Sequence, residues 1–584
     1  IYSFDGSLYQ GDSSSGYVLG ISLSFTIMSN KLFTTVSRER IPLSVFPAGG
    51  ERKLSMNMGA IVPIYCKETL PGDTFRAATE LLIKFAPLKA PVMHRLRAYV
   101  DYFFVPNFQL TSVFDDFINP QTNTPSNPVA LPVFRPKEAN NLNLLGLSSL
   151  ADYLDLPVQQ TAWKESSKSR ALSVLPFMAY QHVYNAYFRD QTLQPTEGVD
   201  PTDTDLYLEG DKDVQGNIYP EGVSPDTTQY ENLFKLRYSA WKKDYFTSAL
   251  PTPQAGPDVE IPFVPGEIVG NGNGLYVTGI DSELPETGDT PLYAFVRASE
   301  ADEEGAVPLN AGPSSWNNQL EYVSGLRISP VAGQGLTVNG FRQLFAIQHF
   351  KELYARGGKR YPEVAFNFFG IRLPDLYVDR PAYLGGMYQD VSIGEVLQTS
   401  QSTSGESGSA QGYRAGVASL YGKSKTLRYL CRMHGFILGV LRVLPEATYM
   451  QGVERMWTRD SVYDYAWPQF ANIGEQEIYN RELYVDGTDD DDKVFGYAPR
   501  YAEYKESCSH VNGDFRDTLK YWHFGRNFAN RPQLNEAFIM ADQISTDPFN
   551  VTDPTVDKLY VHLYTKASAR RPLPFYGNPG LYRL

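Results

Sequence analysis

Cysteine is scarce in this sequence of 584 residues, which contains only three. Cys66, Cys431 and Cys508 lie far apart, and no pair has the short spacing of a zinc ribbon or a redox motif. A disulfide framework is therefore excluded as the basis of the fold. A sparse, odd number of cysteines is typical of a protein that folds in a reducing compartment, such as a bacterial cytoplasm.

Histidine is also rare, and the seven histidines form no HExxH or HxxxH pair. Gly422-Lys423-Ser424 lacks the glycine five residues earlier that a Walker loop requires, and no GxSxG elbow is present. Because no nucleophile, base and orienting group can be named together, the sequence predicts a protein that is not an enzyme. A hydrolase with a convergent pair of carboxylates is an alternative, for which the sequence pairs no particular acids.

Long hydrophobic runs are absent. The strongest run, 436–444, carries Arg442 and is far shorter than the roughly 20 residues of a membrane span, so no membrane insertion is expected. The N-terminus lacks the basic and then apolar layout of a signal peptide. Because Met28 begins a segment that reads like a natural start, residues 1–27 are interpreted as an extension or leader, with a genuine N-terminal arm as the alternative.

Aromatic and turn-forming residues are abundant instead, with 39 Tyr, 33 Phe, 47 Gly and 40 Pro. Strands are predicted near both ends of the chain, at 59–65, 98–105, 435–444 and 559–564. Helices are predicted at 177–189 and 338–355. Since early strands would have to pair with late ones, the pattern predicts a mainly β fold of the Greek-key or jelly-roll type.

Charge is unevenly distributed along the chain, whose formal net charge is −14. Residues 191–231 have a net charge of −9 and residues 251–330 one of −10, so the remainder is at +5. We interpret these acidic stretches as solvent-facing insertions, at about 191–235 and 258–335, in one domain that spans 28–584. The overall charge argues against a protein that coats duplex DNA with its whole surface.

Basic residues gather beside aromatic residues near both ends of the presumed native chain. Arginine and lysine next to aromatic rings fit contact with single-stranded nucleic acid, through phosphate pairing and base stacking. The candidates for this contact are Arg40, Lys53, Arg570 and Arg571. Ordinary surface charge on terminal arms that pack against neighbours is the alternative.

A run of aspartates follows Gly487. Asp486, Asp489 and Asp490 could gather oxygen ligands for a structural divalent cation such as Ca²⁺, and the sequence suggests no other cofactor. The alternation of an EF-hand loop is absent, so a solvated acidic loop is the alternative. Together with Lys493, the run also forms a protease-sensitive sequence.

A series of short blocks closely resembles the major capsid proteins of microviruses, in particular the gokushovirus-like and Bacteroidetes-associated branches. The first block reads MNMGAIVPIY at 56–65 and continues as ETLPGDTF at 68–75. The later blocks follow in the same order, at 102–107, 175–177, 180–181, 188–190, 244–251, 355–358, 360–361, 380–381, 383–386, 398–400, 473–476, 499–505, 513–516 and 579–581. The departures from the family pattern are residues 1–27 and the two acidic insertions.

The resemblance implies a single jelly roll of eight antiparallel strands with long, partly helical insertions between them. It implies sixty copies that assemble, in a host bacterial cytoplasm, into an icosahedral shell around a circular single-stranded DNA genome. A spike near the threefold axis is placed on the second insertion, where it would face the host receptor. A small basic DNA-binding protein and a pilot or minor capsid protein are the other expected partners.

A closed shell requires each copy to present several different patches to its neighbours. Aromatic residues are the expected anchors of these contacts, and core packing is the alternative for each. The candidates are Tyr377, Tyr383, Tyr449, Trp457, Trp467 and Phe470. Because jelly rolls also occur in lectins, a secreted β-sandwich that binds carbohydrate is the second hypothesis.

Overall fold

A computed structural model describes most of the chain from residue 42 to residue 576. The described residues are 42–111, 113–119, 123–124, 129, 131–134, 145–160, 172–194, 232–254, 256, 268–270, 276–277, 323–324, 326–328, 338–357, 361–371, 374, 380–397, 414–551, 553 and 555–576. The predicted extension 1–27, Arg40, Tyr377 and most of the two acidic insertions lie outside these residues.

Strands predominate over helices. The strands are β1 (Ser44–Pro47), β2 (Gly50–Met56), β3 (Val62–Thr69), β4 (Thr74–Phe85), β5 (Leu96–Pro106), β6 (Val133–Phe134), β7 (Leu172–Ser173), β8 (Ile268–Gly270), β9 (Tyr276–Val277), β10 (Val323–Ser324), β11 (Leu326–Ile328), β12 (Ala382–Asp390), β13 (Ser392–Leu397), β14 (Arg414–Lys423), β15 (Leu427–Leu430), β16 (Gly435–Pro445), β17 (Thr448–Tyr449), β18 (Glu475–Tyr479), β19 (Val494–Pro499), β20 (Ser509–His510) and β21 (Leu559–Arg571). The α-helices are α1 (Phe114–Ile118), α2 (Leu150–Tyr153), α3 (Leu175–Val183), α4 (Val338–Gly357), α5 (Tyr361–Phe369), α6 (Asn480–Leu483) and α7 (Glu536–Ile539).

Eight of these strands form two antiparallel sheets with the connectivity of a jelly roll. The large sheet has the order β2-β21-β4-β14, and the small sheet has the order β12-β5-β16-β3. Counted along the chain, these orders are 1-8-3-6 and 5-4-7-2, so the chain crosses from one sheet to the other at every step except that from strand 4 to strand 5. Strand β1 extends the β2 edge along β21, β15 extends β14 along β4, and β13 adds a further edge strand. The predicted mainly β jelly roll, with early strands paired to late ones, is confirmed.

The core lies between the two sheets because alternate residues of each strand point inward. One cluster of buried side chains joins Leu81 and Ile83 of β4 to Val100 of β5, Leu441 of β16 and Val561 of β21. Burial of apolar surface of this extent is the main stabilising term of such a sandwich.

Close packing in this core depends on a glycine. The buried ring of Tyr102 lies directly against Gly439 of β16, where an added Cβ would come within 2.7 Å of the ring. The Tyr102 hydroxyl is 2.5 Å from the Thr79 hydroxyl, which satisfies both polar groups in the interior. The glycine thus leaves room for the large ring on the neighbouring strand of the same sheet.

Two further clusters lie outside the sandwich. Helix α3 packs its Phe177 and Tyr180 against the other face of the small sheet, where it meets Phe103 and Leu438. A third cluster, built around Phe246, connects the long segments that follow β5 and β16. The described parts of the excursions that follow β5 and β16 thus have hydrophobic cores of their own.

The predicted elements match the structure closely, with informative differences at their ends. Strand β3 begins at Val62 rather than at Gly59, because Gly59 adopts a positive φ of 82° against the carbonyl oxygen of Ala541. Strand β21 continues to Arg571, beyond the predicted end at Tyr564, because β1 pairs with its last residues. Within the described residues, no helix is both long and apolar enough to cross a bilayer.

Candidate functional site

The outer face of the large sheet is open to solvent and carries aligned side chains. Lys53 lies opposite His562, which in turn lies opposite Leu82, and Lys84 lies opposite Tyr560. Directly opposite side chains are about 5 Å apart, so these rows form one continuous surface. We call this surface the basic sheet face. Its charged and aromatic members are Glu51, Lys53, Arg76, Glu80, Lys84, Tyr421, Lys423, Arg428, Tyr560, His562, Tyr564, Lys566 and Arg570.

Positive charge predominates on the basic sheet face. Seven Lys or Arg side chains stand against two glutamates, a net charge of +5 in a chain of net charge −14. Lys53 pairs with Glu51 at 3.4 Å, and Lys423 pairs with Glu80 at 2.7 Å. The other five basic side chains, which have no ion pair within the described part of the chain, are Arg76, Lys84, Arg428, Lys566 and Arg570.

A shallow groove of about 530 Å³ crosses this face over β2, β4 and β21. Its lining combines the ammonium groups of Lys53 and Lys84 with the rings of Tyr560 and His562 and the apolar side chain of Leu82. Ammonium groups pair with phosphates, and exposed rings and apolar surface stack on nucleobases. The groove therefore has the chemistry that a single nucleic-acid strand requires.

The described residues predicted to contact nucleic acid divide between two environments. Lys53 and Arg570 both lie on the basic sheet face, and their contact with nucleic acid remains a prediction. Arg571 is the next residue and points to the other side of the strand. There its guanidinium lies 3.3 Å from the fully buried carboxylate of Asp73 and donates to the carbonyl oxygen of Glu68. Arg571 thus stabilises the connection between β3 and β4 at one end of the sandwich. Its contact with nucleic acid remains a prediction.

Sequence reasoning missed the contribution of β4 to this face. Arg76, Glu80 and Lys84 are four residues apart, and in a strand this spacing places all three on one side. That period was visible in the sequence at 74–85. What it could not show is that β21 lies directly beside β4, which brings Lys566 and Tyr564 next to these residues.

The acidic run forms an exposed 3-10 turn, Asp489–Asp492, organised by an arginine from a distant loop. The Arg531 guanidinium contacts the Asp486 carboxylate, lies 2.6 Å from Asp491 and lies 3.5 Å from Asp490. Asp489 lies in the same turn and is exposed. Among the described residues, no three His, Cys, Asp or Glu side chains are grouped as metal ligands. The predicted cation site remains a prediction. What the structure shows beside these carboxylates is the side chain of Arg531.

Hydrogen bonds also fix the charge state of this turn. The Thr488 hydroxyl donates to Asp486 and, together with Arg531, lowers the pKa of that carboxyl. Lys493 lies 2.6 Å from Asp490 and lowers the pKa of that carboxyl in the same way. Asp486 and Asp490 are therefore stabilised as carboxylates, and Arg531 and Lys493 hold them in place.

The predicted interface anchors differ in exposure. Trp457 is 75% exposed and Tyr383 is 49% exposed, so both present aromatic surface to solvent, and their role as interface anchors remains a prediction. Trp467 is 43% exposed, and Phe470 is half-buried beside it. Tyr449 is only 3% exposed and belongs to the third core cluster. Its surroundings are therefore those of core packing, which was the alternative to an interface anchor.

Tyr383 is held in a defined orientation on the outer side of the small sheet. Its hydroxyl lies 3.1 Å from a carboxylate oxygen of Asp101, and its ring packs 5.5 Å from that of Phe103. The partly buried Arg442 lies 3.6 Å from the same Asp101, although burial still raises the pKa of this carboxyl. A rigid, half-exposed tyrosine of this kind is typical of a protein interface.

The fold and its surfaces define a class of protein. A jelly roll with long excursions, exposed aromatic side chains and one basic sheet face is an architecture found in viral shell subunits. The chain belongs to the capsid protein (F protein) family, which it matches over residues 34–581. The resemblance to microvirus major capsid proteins is thereby confirmed.

Individual relatives agree with this assignment. The chain is 32% identical to capsid protein VP1 of Chlamydia phage 1, over 96% of this chain and 99% of the relative. It is 31% identical to capsid protein VP1 of Bdellovibrio phage phiMH2K, over 89% of this chain and 92% of the relative. The capsid protein VP1 of Spiroplasma virus 4 is 27% identical, over 94% of this chain and 98% of the relative. The protein is thus a structural component of a phage virion.

Proposed function

We propose that sixty copies of this protein close into a small icosahedral shell around a circular single-stranded DNA genome, with the basic sheet face turned inward. The observation that carries the proposal is the net charge of +5 on this one face of a strongly acidic chain. A strand of DNA releases counterions when lysine and arginine neutralise its phosphates, so such a face attracts it. Tyr560 and Tyr564 on the same face offer rings for unpaired bases.

The acidic insertions belong on the opposite side of the shell in this proposal. Their combined charge of −19, read from 191–231 and 251–330, would repel a genome if it faced inward. Outside, the second insertion forms the threefold spike and contributes to attachment to a host surface receptor. Charge segregation thus supports one orientation of the subunit.

The shell requires partners beyond this chain. The basic sheet face is too small to neutralise a whole genome, so we propose that a small basic DNA-binding protein and a pilot or minor capsid protein accompany it. Assembly takes place in the host bacterial cytoplasm, and the role of the chain is structural rather than catalytic. We also propose that a structural divalent cation binds at the acidic turn, together with the Arg531 side chain and not in its place.

Electron microscopy of particles from the natural source or from bacteria that express the chain tests this function, with protected DNA assayed after nuclease treatment. Uniform small icosahedral shells that protect single-stranded circles are the expected result. A variant with Arg76, Lys84, Lys566 and Arg570 changed to Gln should still form shells but protect several times less DNA. Isolation from the natural source of a monomer or dimer, without particles, would overturn the proposal.

A further inference from the structure

One end of the basic sheet face, where β15, β4 and β21 run side by side, carries three arginines close together. Arg76 of β4 lies directly opposite Arg428 of β15. Arg570 of β21 lies diagonally from Arg76, because its own partner on β4 is Thr74. Opposite side chains in a sheet are about 5 Å apart and diagonal ones about 7–8 Å. We call Arg76, Arg428 and Arg570 the arginine cluster; all three are exposed, and none has an ion pair within the described part of the chain.

The two carboxylates of the basic sheet face lie away from the arginine cluster and are already paired. Glu80 is four residues from Arg76 along β4, about 13 Å away, and lies 2.7 Å from Lys423. Glu51 lies on β2 and pairs with Lys53 at 3.4 Å. Among the described strands, no position opposite or diagonal to a member of the cluster carries an acidic side chain. The positive charge of the cluster is therefore not balanced by the strands around it.

This arrangement costs free energy in the folded chain and offers donors to a ligand. Like charges directly opposite each other destabilise a sheet, so the Arg76–Arg428 pair favours an anion that would lie between its guanidinium groups. Two hydroxyls lie on the same face, because Ser568 is opposite Arg76 and Thr74 is opposite Arg570. Neither hydroxyl has a hydrogen-bond partner among the residues that the structure describes, so both can donate to a ligand oxygen.

The chemistry of the cluster suits phosphate groups. The planar guanidinium of arginine donates two parallel hydrogen bonds to phosphate oxygens. Three such side chains at this spacing match a ligand with several closely spaced negative charges. The exposed rings of the face, Tyr421, Tyr560 and Tyr564, are aligned with positions 80–84 of β4 and so lie away from Arg76. Contact with bases is therefore confined to the other part of the face.

We propose that the arginine cluster is a binding site for consecutive phosphate groups of one ligand, with the hydroxyls of Thr74 and Ser568 as additional donors. Such groups occur in the backbone of single-stranded DNA and in free oligophosphates such as inorganic triphosphate. The inference deepens the proposed function, on which DNA as the source of the phosphates rests. Binding of phosphate groups to the dispersed subunit does not itself require a shell.

Calorimetric titration of dispersed subunits with inorganic triphosphate at low ionic strength tests the site. Arg428→Gln should weaken binding about tenfold, because it removes hydrogen bonds to a charged group. Arg342→Gln is the matched control, since it removes an exposed arginine of α4, which lies outside both sheets, and it should bind like the unaltered chain. Equal dissociation constants for the two variants, or no binding by the unaltered chain at millimolar triphosphate, would overturn the proposal.

Melting temperatures give a second readout, which a merely structural role of Arg428 would not produce. In chloride alone at low ionic strength, Arg428→Gln should melt slightly above the unaltered chain, because the like-charge pair is gone. With saturating triphosphate the order should reverse, because the unaltered chain binds the ligand more tightly and gains more stability from it. An order that stays the same in both conditions would contradict the site.

An oligonucleotide distinguishes the two sources of phosphate. If the ligand is the DNA backbone, triphosphate should displace a labelled thymidine oligonucleotide, and Arg428→Gln should weaken oligonucleotide binding more than Arg342→Gln does. Binding of triphosphate without displacement would assign the site to free oligophosphates. Shells that protect DNA normally, together with equal triphosphate binding by both variants, would overturn this site and leave the proposed function intact. A chain that binds triphosphate but forms no shells under any condition would instead count against the proposed function.

Discussion

Neutralising two lysines on the basic sheet face is expected to weaken the salt dependence of single-stranded DNA binding by a calculable amount. Lys84 and Lys566 are exposed and have no ion pair within the described residues. The double variant Lys84→Gln, Lys566→Gln therefore removes two positive charges without breaking a contact that the folded chain needs. Such surface changes alter stability little.

The magnitude follows from counterion release. Each phosphate contact with a single strand contributes about −0.7 to the slope of log K against log salt concentration. Five basic side chains without an ion pair then give a slope of about −3.5, or about a hundredfold loss of affinity between 50 and 200 mM salt. Removal of two of them should make the slope shallower by about 1.4.

Fluorescence anisotropy of a labelled thymidine oligonucleotide, titrated with dispersed subunits at several salt concentrations, measures this slope. The matched control is Lys505→Gln, Lys520→Gln, which removes two exposed lysines that lie off the basic sheet face. Equal slopes for the two double variants would contradict the prediction, since positive charge anywhere on the surface would then suffice for binding.

Three further predictions concern the fold. Arg531→Ala should release the acidic turn. Enteropeptidase, which cleaves after four aspartates and a lysine, should then cut after Lys493 at least tenfold faster. An unchanged rate of cleavage would show that Arg531 does not hold the turn. Burial lowers the pKa of His94, so the unfolded chain takes up a proton first as the pH falls below 6.5, and stability is lost there. His94→Gln should therefore show a smaller drop in melting temperature between pH 7 and pH 5 than the unaltered chain, and an equal drop would contradict this. Gly439→Ala should lower the free energy of unfolding by about 1–3 kcal/mol in denaturant titrations, because the added methyl group would lie 2.7 Å from a buried ring. Gly394→Ala is the control and should have little effect, because the nearest atom to its added methyl group is 3.9 Å away. Equal midpoints for the two variants would argue against close packing at Gly439.

The sequence predicted the strands of the core because each is long, rich in β-branched and aromatic residues, and bounded by turn signals. The apolar run of β16 and the alternation of β21 are local properties, visible without any neighbour. The pairing of early with late strands was expected from the long excursions between them, although the local signals alone would also allow strands to pair within each end of the chain.

The surfaces depend on contacts between distant segments, which local patterns do not specify. Lys53 and Lys84 share a face only because β21 lies between their strands. Arg531 reaches Asp486 from 45 residues away, and nothing in the aspartate run indicates an arginine partner. Tyr449 was predicted equally well as surface or core, and its burial is decided by loops that follow other strands.

The position of β21 between β2 and β4 also bears on synthesis of the chain. About 470 residues separate Phe85 from Leu559, and at roughly 5–20 residues per second a ribosome needs about 25–95 s to translate them. Until β21 emerges, the inner edges of β2 and β4 have no partner in the nascent chain. A polypeptide that terminates before Leu559 cannot complete the large sheet, so we expect truncated products to aggregate or to be degraded instead of competing with intact subunits for places in the shell.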